Sequence, residues 1–501
     1  MVNLSAFMAF HARRTPQRLA LIYGDQRVTY SELASRTVQL AALLVESGIV
    51  PGNVVAAFMK NSSAFIELAL AVSHVGAVFL PINFRLAAEE VAYIVENAGA
   101  ALVFVDEEFA AQTAGLPRRV LLDSVAQHDT RRLSPRHREP CAPVTRTPED
   151  MFRLMYTSGT TDRPKGVMHS YGNFYWKCID HVVALGLSDA DRLLVVGPLY
   201  HVGAFDLPGL AVLWMGGLLC IERDFDAARA LASIERERLT GAWLAPVMLN
   251  QVLACPERGR YDVSSVKWCI GGGEKTPESR IRGFGDLFRN GRYIDAYGLT
   301  ETCSGDTLME AGMEIAKIGS TGRATPHVEI EIRDDAGATL AAGIEGEICL
   351  RGPKVTKGYW RDPEKTRASF HGDWFRSGDV GYLDEDGFLY ITDRKKDMII
   401  SGGENIASSE VERVIYRLPQ VSEAAVVGVP DEKWGERPIA VVVLHAGQTL
   451  DLGTLDSHCR QHLARFKVPR ELHLRSSLPR NPSGKVLKRV LRDEFVASRQ
   501  P

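Results

Sequence analysis

Hydrophobic positions change their period repeatedly along the chain. From Tyr30 to Ser47 apolar residues recur at helical spacing, and the unbroken apolar run Val54–Met59 reads as a short buried strand. Phe65–Val75 returns to helical spacing, and Ala77–Leu80 reads as another strand. This succession predicts a parallel sheet covered by helices. After Asp191 the alternation resumes, with apolar runs at Leu193–Val196, Leu218–Ile221, Gly241–Leu244 and Val266–Ile270, so a second α/β unit is expected. Residues 107–150 are richer in charge and proline (Arg131, Arg132, Arg136, Pro140, Pro143) and read as a surface excursion. Between Val328 and Leu389 short runs separated by turns such as Asp384-Glu385-Asp386-Gly387 predict an antiparallel β region. A charged junction, Asp393-Arg394-Lys395-Lys396-Asp397, precedes a smaller α+β segment. The expected fold is α/β, with a large N-terminal domain over residues 1–395 and a smaller α+β domain over 396–501. Two α/β subdomains and the small antiparallel β region make up the larger one.

Composition narrows the class. A chain of 501 residues exceeds what one core supports, and 45% apolar with 24% charged residues is the balance of a globular protein. The net charge of −3 gives no electrostatic case for nucleic acid or an anionic membrane surface. Eight cysteines lie scattered without C-x-x-C spacing, which argues against zinc and a disulfide framework and fits a reducing cytoplasm. The N-terminus shows no basic region followed by an apolar one, so no secretory signal is expected. The longest uncharged apolar stretch, Leu207–Ile221, contains glycines and is shorter than the ~20 residues of a spanning helix, so no transmembrane segment is read.

The densest candidate chemistry is Tyr156-Thr157-Ser158-Gly159-Thr160-Thr161-Asp162-Arg163-Pro164-Lys165-Gly166. Small and hydroxyl residues let the backbone curl so that successive N–H groups face one anion, and Lys165 adds a point charge. The apolar Met151–Met155 segment places this loop at a strand end, where α/β proteins bind ligands. It is not a Walker loop, because Lys165 precedes its glycine and a valine follows. An ordinary solvated turn has the same composition.

Other segments carry chemistry only in combination. Pro198-Leu199-Tyr200-His201 follows a strand, and a lone histidine there equally suits a core or turn position. Tyr293-Ile294-Asp295-Ala296-Tyr297-Gly298-Leu299-Thr300-Glu301 puts a carboxylate after a strand-end glycine turn. That group suits either Mg²⁺ beside phosphates or a helix start. Gly271-Gly272-Gly273-Glu274 lets a flat ligand lie against bare backbone, or simply ends a strand. Asp379 in Ser377-Gly378-Asp379 suits a ribose or a surface turn, and Asn481-Pro482-Ser483-Gly484-Lys485 places a lysine on a glycine loop.

Taken in order, these segments resemble the adenylate-forming superfamily of acyl- and aryl-CoA ligases, luciferase and peptide-synthetase adenylation domains. The resemblance runs from Thr29-Tyr30-Ser31-Glu32-Leu33 through Ile400-Ser401-Gly402-Gly403-Glu404-Asn405 to Lys485. It implies that a carboxylate attacks the α-phosphate of ATP, giving an acyl-adenylate and pyrophosphate, and that coenzyme A then takes the acyl group. Phosphoryl transfer of this kind needs positioning and charge neutralisation more than covalent help. On this resemblance Thr157, Ser158, Gly159, Thr160, Thr161 and Lys165 cradle the β- and γ-phosphates, and Glu301 holds Mg²⁺. Thr300 touches the α-phosphate. Gly272, Gly273, Glu274, Asp295, Ala296, Tyr297, Gly298 and Leu299 flank the adenine, and Asp379 and Arg394 the ribose. Lys485 bridges the attacking carboxylate and the α-phosphate. His201 gates the thiol's approach, Ser401, Gly402 and Gly403 line the coenzyme A path, and Lys396 is a hinge for rotation of a mobile C-terminal domain.

Two departures stand out. Asp162 occupies a position where most members carry glycine, and Glu274-Lys275 replaces the usual Ala-Pro. The acyl pocket implied by the resemblance comprises His201, Val202, Phe205, Trp243, Gly271–Gly273, Gly298, Leu299 and Cys303. Glycines with aromatic walls suit a flat ring or a slim chain, so an aromatic acid of the ferulate or coumarate type is the first expectation and a medium- or long-chain fatty acid the second. A peptide-synthetase role is disfavoured because the sequence ends soon after Lys485. A non-catalytic nucleotide binder is disfavoured by the presence of Lys485, Glu301 and His201. A homodimer is compatible with this reading.

Overall fold

The computed structural model describes the chain except residues 1–2, 124–138, 158–163, 273–275, 277, 395–396, 402–403, 432–433, 481–485 and 498–501. The described chain forms two compact units. One comprises residues 1–329 and 350–375, the other residues 330–349 and 376–501.

The first unit contains two sheets. In the six-stranded one the order is Arg119–Leu122, Ala100–Asp106, Val54–Phe58, Val78–Pro81, Met151–Thr157, Lys165–Ser170, with only the last strand antiparallel. Val54, Ala56, Phe58, Val78, Leu80, Val103 and Val105 point to one face, where Val91, Ile94, Val95 and Ala98 of the helix Ala88–Ala98 close the core. Arg119–Leu122 lies in the stretch expected to be a surface excursion, yet it pairs as an edge strand. Its four residues are too few to show a period against the surrounding charge.

The second sheet has nine strands, with Arg292–Tyr297, Trp268–Gly272, Gly241–Trp243, Arg192–Val195, Leu218–Ile221 and Leu19–Tyr23 running parallel through its centre. The N-terminal hairpin Leu19–Tyr23 and Gln26–Thr29 joins here, with Leu21 beside Leu219. The two α/β units are therefore not consecutive in sequence. A local pattern cannot reveal such long-range pairing. Thr29 ends that hairpin and opens the helix Tyr30–Glu46 with a reciprocal capping box to Glu32, satisfying two backbone donors at once.

The second unit centres on the long antiparallel pair Val421–Asp431 and Gly435–Leu444. Side chains alternate between its faces. Ala424, Val426, Ala440 and Val442 meet the helices Ser408–Ile415 and Leu452–Arg460, while Val427, Val429 and Val441 meet Leu491 and Phe495 of Lys488–Ala497. In the same unit Asp379 pairs with Arg394 across the antiparallel strands Trp374–Leu383 and Leu389–Arg394. The turn between those strands uses Gly387 at φ 80°, with Asp384 bonded to Phe388, as the Asp-Glu-Asp-Gly signal predicts. Among the described residues no helix is long and apolar enough to cross a membrane.

Candidate active site

Four parallel strands of the nine-stranded sheet deliver candidate groups at their carboxyl ends. Arg192–Val195 leads to His201, Gly241–Trp243 ends at Trp243, Trp268–Gly272 ends at the glycines, and Arg292–Tyr297 leads into Gly298–Glu301. Ligands of open α/β sheets bind at such ends. Register brings Gly271 beside Asp295 and Gly272 beside Ala296. The glycines are required by packing. A Cβ at Gly271 would stand 1.6 Å from the Tyr293 hydroxyl, and one at Gly272 would stand 2.7 Å from the Ala296 carbonyl oxygen. Gly271 thus faces the core through Tyr293, whose hydroxyl pairs with Thr276 at 2.8 Å.

The His201 loop is pinned from outside. Asn61 donates to the Gly197 carbonyl and accepts from the Leu199 N–H, both at 2.8 Å. His201 Nδ1 accepts the Gly203 N–H at 3.0 Å, which leaves Nε2 as the protonated nitrogen of the neutral ring. Burial pushes its pKa down to about 4, so the ring is neutral at physiological pH. The Trp243 indole stacks on it with centroids 6.0 Å apart. That indole also fills the space beside two glycines, since a Cβ at Gly197 or Gly203 would come within 2.4 Å of it. Val202 and Phe205 are buried beyond His201, and Cys303 is buried after the Glu301 turn in a left-handed conformation at φ 56°.

Thr300 and Glu301 sit in the short 3₁₀ turn Thr300–Thr302. The Tyr359 hydroxyl donates to Glu301 Oε1 at 2.9 Å, and the Thr356 N–H donates to the Glu301 carbonyl at 2.6 Å. The carboxylate is thereby held at the end of the sheet, where its oxygens suit a hard divalent cation. Burial, followed by the Glu301 charge, raises the Tyr359 pKa, so its hydroxyl keeps the proton it donates. Among the described residues no cluster of three metal-ligating side chains exists.

The phosphate-loop strands close as a hairpin, with Thr157 paired to Lys165 and Tyr156 to Gly166. Ser158, Gly159, Thr160, Thr161 and Asp162 lie outside the described residues, as do Gly273, Glu274, Lys396, Gly402, Gly403 and Lys485. In the second unit Asp379 is buried and in register with Arg394, and Ser401 ends the strand Ile399–Ser401.

Sequence reasoning missed the groups that hold these pieces together. Arg153, fully buried in the strand Met151–Thr157, donates to both carboxylate oxygens of Asp206 at 2.9 and 2.6 Å. It also donates to His169 Nδ1 from Nε at 3.1 Å. The acceptor role of Nδ1 fixes the proton on Nε2, which donates to the Thr300 carbonyl at 2.6 Å. Burial and the Arg153 charge both push the His169 pKa well below its ordinary value, in keeping with a neutral ring. A second buried cation, Lys354, donates to the Gly305 carbonyl at 2.6 Å and pairs with Asp306 at 3.2 Å. The sequence did hold a signal: Arg153 and Asp206 each interrupt an apolar run, and a charge in a buried run must find a partner.

Comparison with known proteins decides the family. Residues 8–360 match the family model "AMP-binding enzyme", and residues 410–485 match "AMP-binding enzyme C-terminal domain". The chain belongs to the AMP-binding enzyme family. It is a ligase of the acyl- and aryl-CoA branch, as the motif order implied. It is 36% identical to a feruloyl-CoA synthase of Amycolatopsis sp. over 98% of this chain and 99% of that one. It is equally 36% identical to the long-chain-fatty-acid–CoA ligase FadD13 of Mycobacterium tuberculosis, over 99% of each chain. The o-succinylbenzoate CoA synthetase MenE of Bacillus subtilis, solved in complex with the acyl-adenylate OSB-AMP, superposes with a TM-score of 0.87. It shares 32% identity with the ligase over 97% of this chain and 98% of that one. The expected α/β fold with a large N-terminal part and a smaller C-terminal one is thus met.

Proposed function

We propose that this ligase is an ATP-dependent carboxylic acid–CoA ligase. A carboxylate and ATP give an acyl-adenylate and pyrophosphate, and coenzyme A then gives the acyl-CoA and AMP. The observation that carries this reading is the convergence of His201, Gly271–Gly272 and Thr300–Glu301 at the ends of neighbouring parallel strands. Glu301, oriented by Tyr359, would hold Mg²⁺, which neutralises phosphate charge when bound. Thr157 and Lys165 at the mouth of the phosphate hairpin would bind the outer phosphates, with Ser158–Thr161 between them. Asp295–Leu299 would flank the adenine, and Asp379 and Arg394 would take the ribose hydroxyls. Lys485 would neutralise the charge that develops between the carboxylate and the α-phosphate. Ser401, Gly402 and Gly403 would line the thiol's path, and Lys396 would be the hinge within a domain boundary at 395/396.

The acid we favour is a compact aromatic one of the hydroxycinnamate class. Support comes from Trp243, which fills the space beside Gly197 and Gly203 and stacks on His201, offering a flat aromatic wall. The second reading, a fatty acid, is favoured by the equal identity to the mycobacterial fatty-acid ligase.

Pyrophosphate release with a panel of carboxylates, with and without coenzyme A, tests the assignment. Lys485→Ala should abolish adenylation while leaving thioester formation from supplied acyl-adenylate largely intact. Equal loss of both half-reactions would overturn the role given to Lys485. Lys396→Pro should show the opposite pattern, because proline fixes φ and hinders rotation.

A further inference from the structure

The turn that carries Thr300 and Glu301 is too short to hold its own shape. Thr300–Thr302 is a single 3₁₀ turn of 3 residues, with no helical cooperativity to fix its peptide planes. Beyond it Cys303, Ser304 and Gly305 take φ values of 56°, 65° and 66° in succession. The first two are non-glycine residues in the left-handed region, a conformation that persists only where surrounding contacts dictate it. Donors from other segments supply those contacts, and they end on the carbonyls of the turn. His169 Nε2 donates to the Thr300 carbonyl and the Thr356 N–H to that of Glu301, each at 2.6 Å. Lys354 Nζ donates to the carbonyls of Ser304 and Gly305, at 3.3 and 2.6 Å.

Of these donors, His169 is the one that acts on the peptide joining Thr300 to Glu301. A trans peptide sends its C=O and N–H in opposite directions, so the bond to the Thr300 oxygen also aims the Glu301 N–H. The Thr300 hydroxyl and the Glu301 carboxylate leave from the two ends of that one plane. The histidine is itself fixed in orientation and tautomer. Arg153 Nε and Nη2 donate to its Nδ1 at 3.1 and 2.9 Å, which requires a lone pair there and puts the proton on Nε2. Asp206 accepts from two nitrogens of Arg153, at 2.9 and 2.6 Å, and so sets the plane of the guanidinium. All three side chains are fully buried, and water does not compete for these bonds.

We propose that His169 is a positioning residue for adenylate formation. Through the Thr300 carbonyl it sets the plane from which Thr300 meets the α-phosphate and Glu301 holds the metal, while Arg153 and Asp206 hold the ring. This deepens the ligase reading and rests on it. Asp206 lies in the segment Phe205–Gly209 just beyond His201, so one chain of bonds runs from the acyl side of the proposed site to its phosphate side. Groups already in place meet the charge that develops at the α-phosphate, and preorganisation of this kind lowers the barrier. Small displacements matter there, since a misplacement of about 1 Å can lower a rate ~10²-fold.

Two variants test the role: His169→Leu removes the donor, whereas His169→Gln keeps a donor for Thr300 and an acceptor for Arg153. Pyrophosphate release is measured with the acid that the wild type turns over fastest, and active sites are titrated with a non-hydrolysable sulfamoyl analogue of its adenylate. In His169→Leu, kcat per titrated site should fall about tenfold to a hundredfold. ATP affinity, measured by calorimetry without the acid, should change less than about threefold, because the loss falls on the transition state. His169→Gln should recover most of the lost rate. A structural role would lower the number of titrated sites and the urea midpoint yet leave kcat per site unchanged, and that result overturns the proposal. A loss carried wholly by ATP affinity, or His169→Gln no faster than His169→Leu, overturns it too. Should His169→Leu not fold, His169→Asn takes its place and must show the same split, since its shorter amide cannot span both partners. If the wild type released no pyrophosphate with any carboxylate, the ligase reading itself would fall, an outcome distinct from an unchanged kcat per site.

Discussion

Asp206 clasps two nitrogens of Arg153 in the interior of the first unit, with both side chains essentially inaccessible to water. One belongs to a strand of the phosphate hairpin, the other to the turn just beyond His201. Through His169 the same guanidinium reaches the Thr300 carbonyl, so three segments of the proposed site share one rigid polar junction.

Breaking that junction on one side should be severe. Arg153→Met strands a buried carboxylate and is expected to cost about 3–5 kcal/mol. The double variant Arg153→Met/Asp206→Leu should recover a large part of it, because no charge is then left unpaired. Urea unfolding of the two variants decides the matter. A double variant no more stable than the single one would argue against a buried ion pair.

Tyr359→Phe removes the hydroxyl that donates to Glu301. The ring stays, so the stability loss should be confined to the lost hydrogen bond. If Glu301 holds Mg²⁺, the loss of a hydrogen bond to a carboxylate, about 1.5–3 kcal/mol, should raise the Mg²⁺ concentration for half-maximal pyrophosphate release about tenfold or more. An unchanged Mg²⁺ titration would separate Glu301 from the metal.

Trp243→Ala should widen the acyl pocket, since the indole fills the space next to Gly197, Gly203 and His201. The expected outcome is a shift of kcat/KM toward longer or bulkier acids, with a stability loss of about 3–5 kcal/mol. Unaltered selectivity across an acid series would place the indole outside the substrate's path.

Acid should destabilise this protein in a window set by its buried imidazoles. His169, His181 and His201 all have folded pKa values below the ordinary 6.5, chiefly through burial. Above that value both folded and unfolded forms are neutral, so these groups leave stability independent of pH. As pH falls below about 6.5 the unfolded chain takes up protons that the folded one refuses, and stability declines. His169→Gln, which retains one donor and one acceptor, should flatten the slope of unfolding free energy between about pH 6.5 and 5. Equal slopes in wild type and variant would count against a neutral His169.

Much of the fold around the candidate site was legible because its signals are local. The capping box at Thr29 and Glu32, the glycine pair at 271–272 and the turn at 384–387 each depend on neighbours a few residues away. What stayed hidden depends on distant partners. Arg153 and Asp206 lie 53 residues apart, and Tyr359 and Glu301 58 apart. The hairpin Leu19–Tyr23 and Gln26–Thr29 joins a sheet whose nearest strand begins at Leu218. The resemblance names Asp379 and Arg394 together, and their backbones are in antiparallel register across two strands distant from the other candidate segments in sequence.

The segment Ile330–Cys349 belongs to the second unit although the chain returns to the first for residues 350–375. On the ribosome, therefore, the first unit lacks part of its sequence until residue 375 has been made. The earlier segment of the second must wait, unpartnered, for residues 376 onward. Synthesis order and folding order are interleaved, and a gene fragment cut at any single position leaves at least one of the two units incomplete.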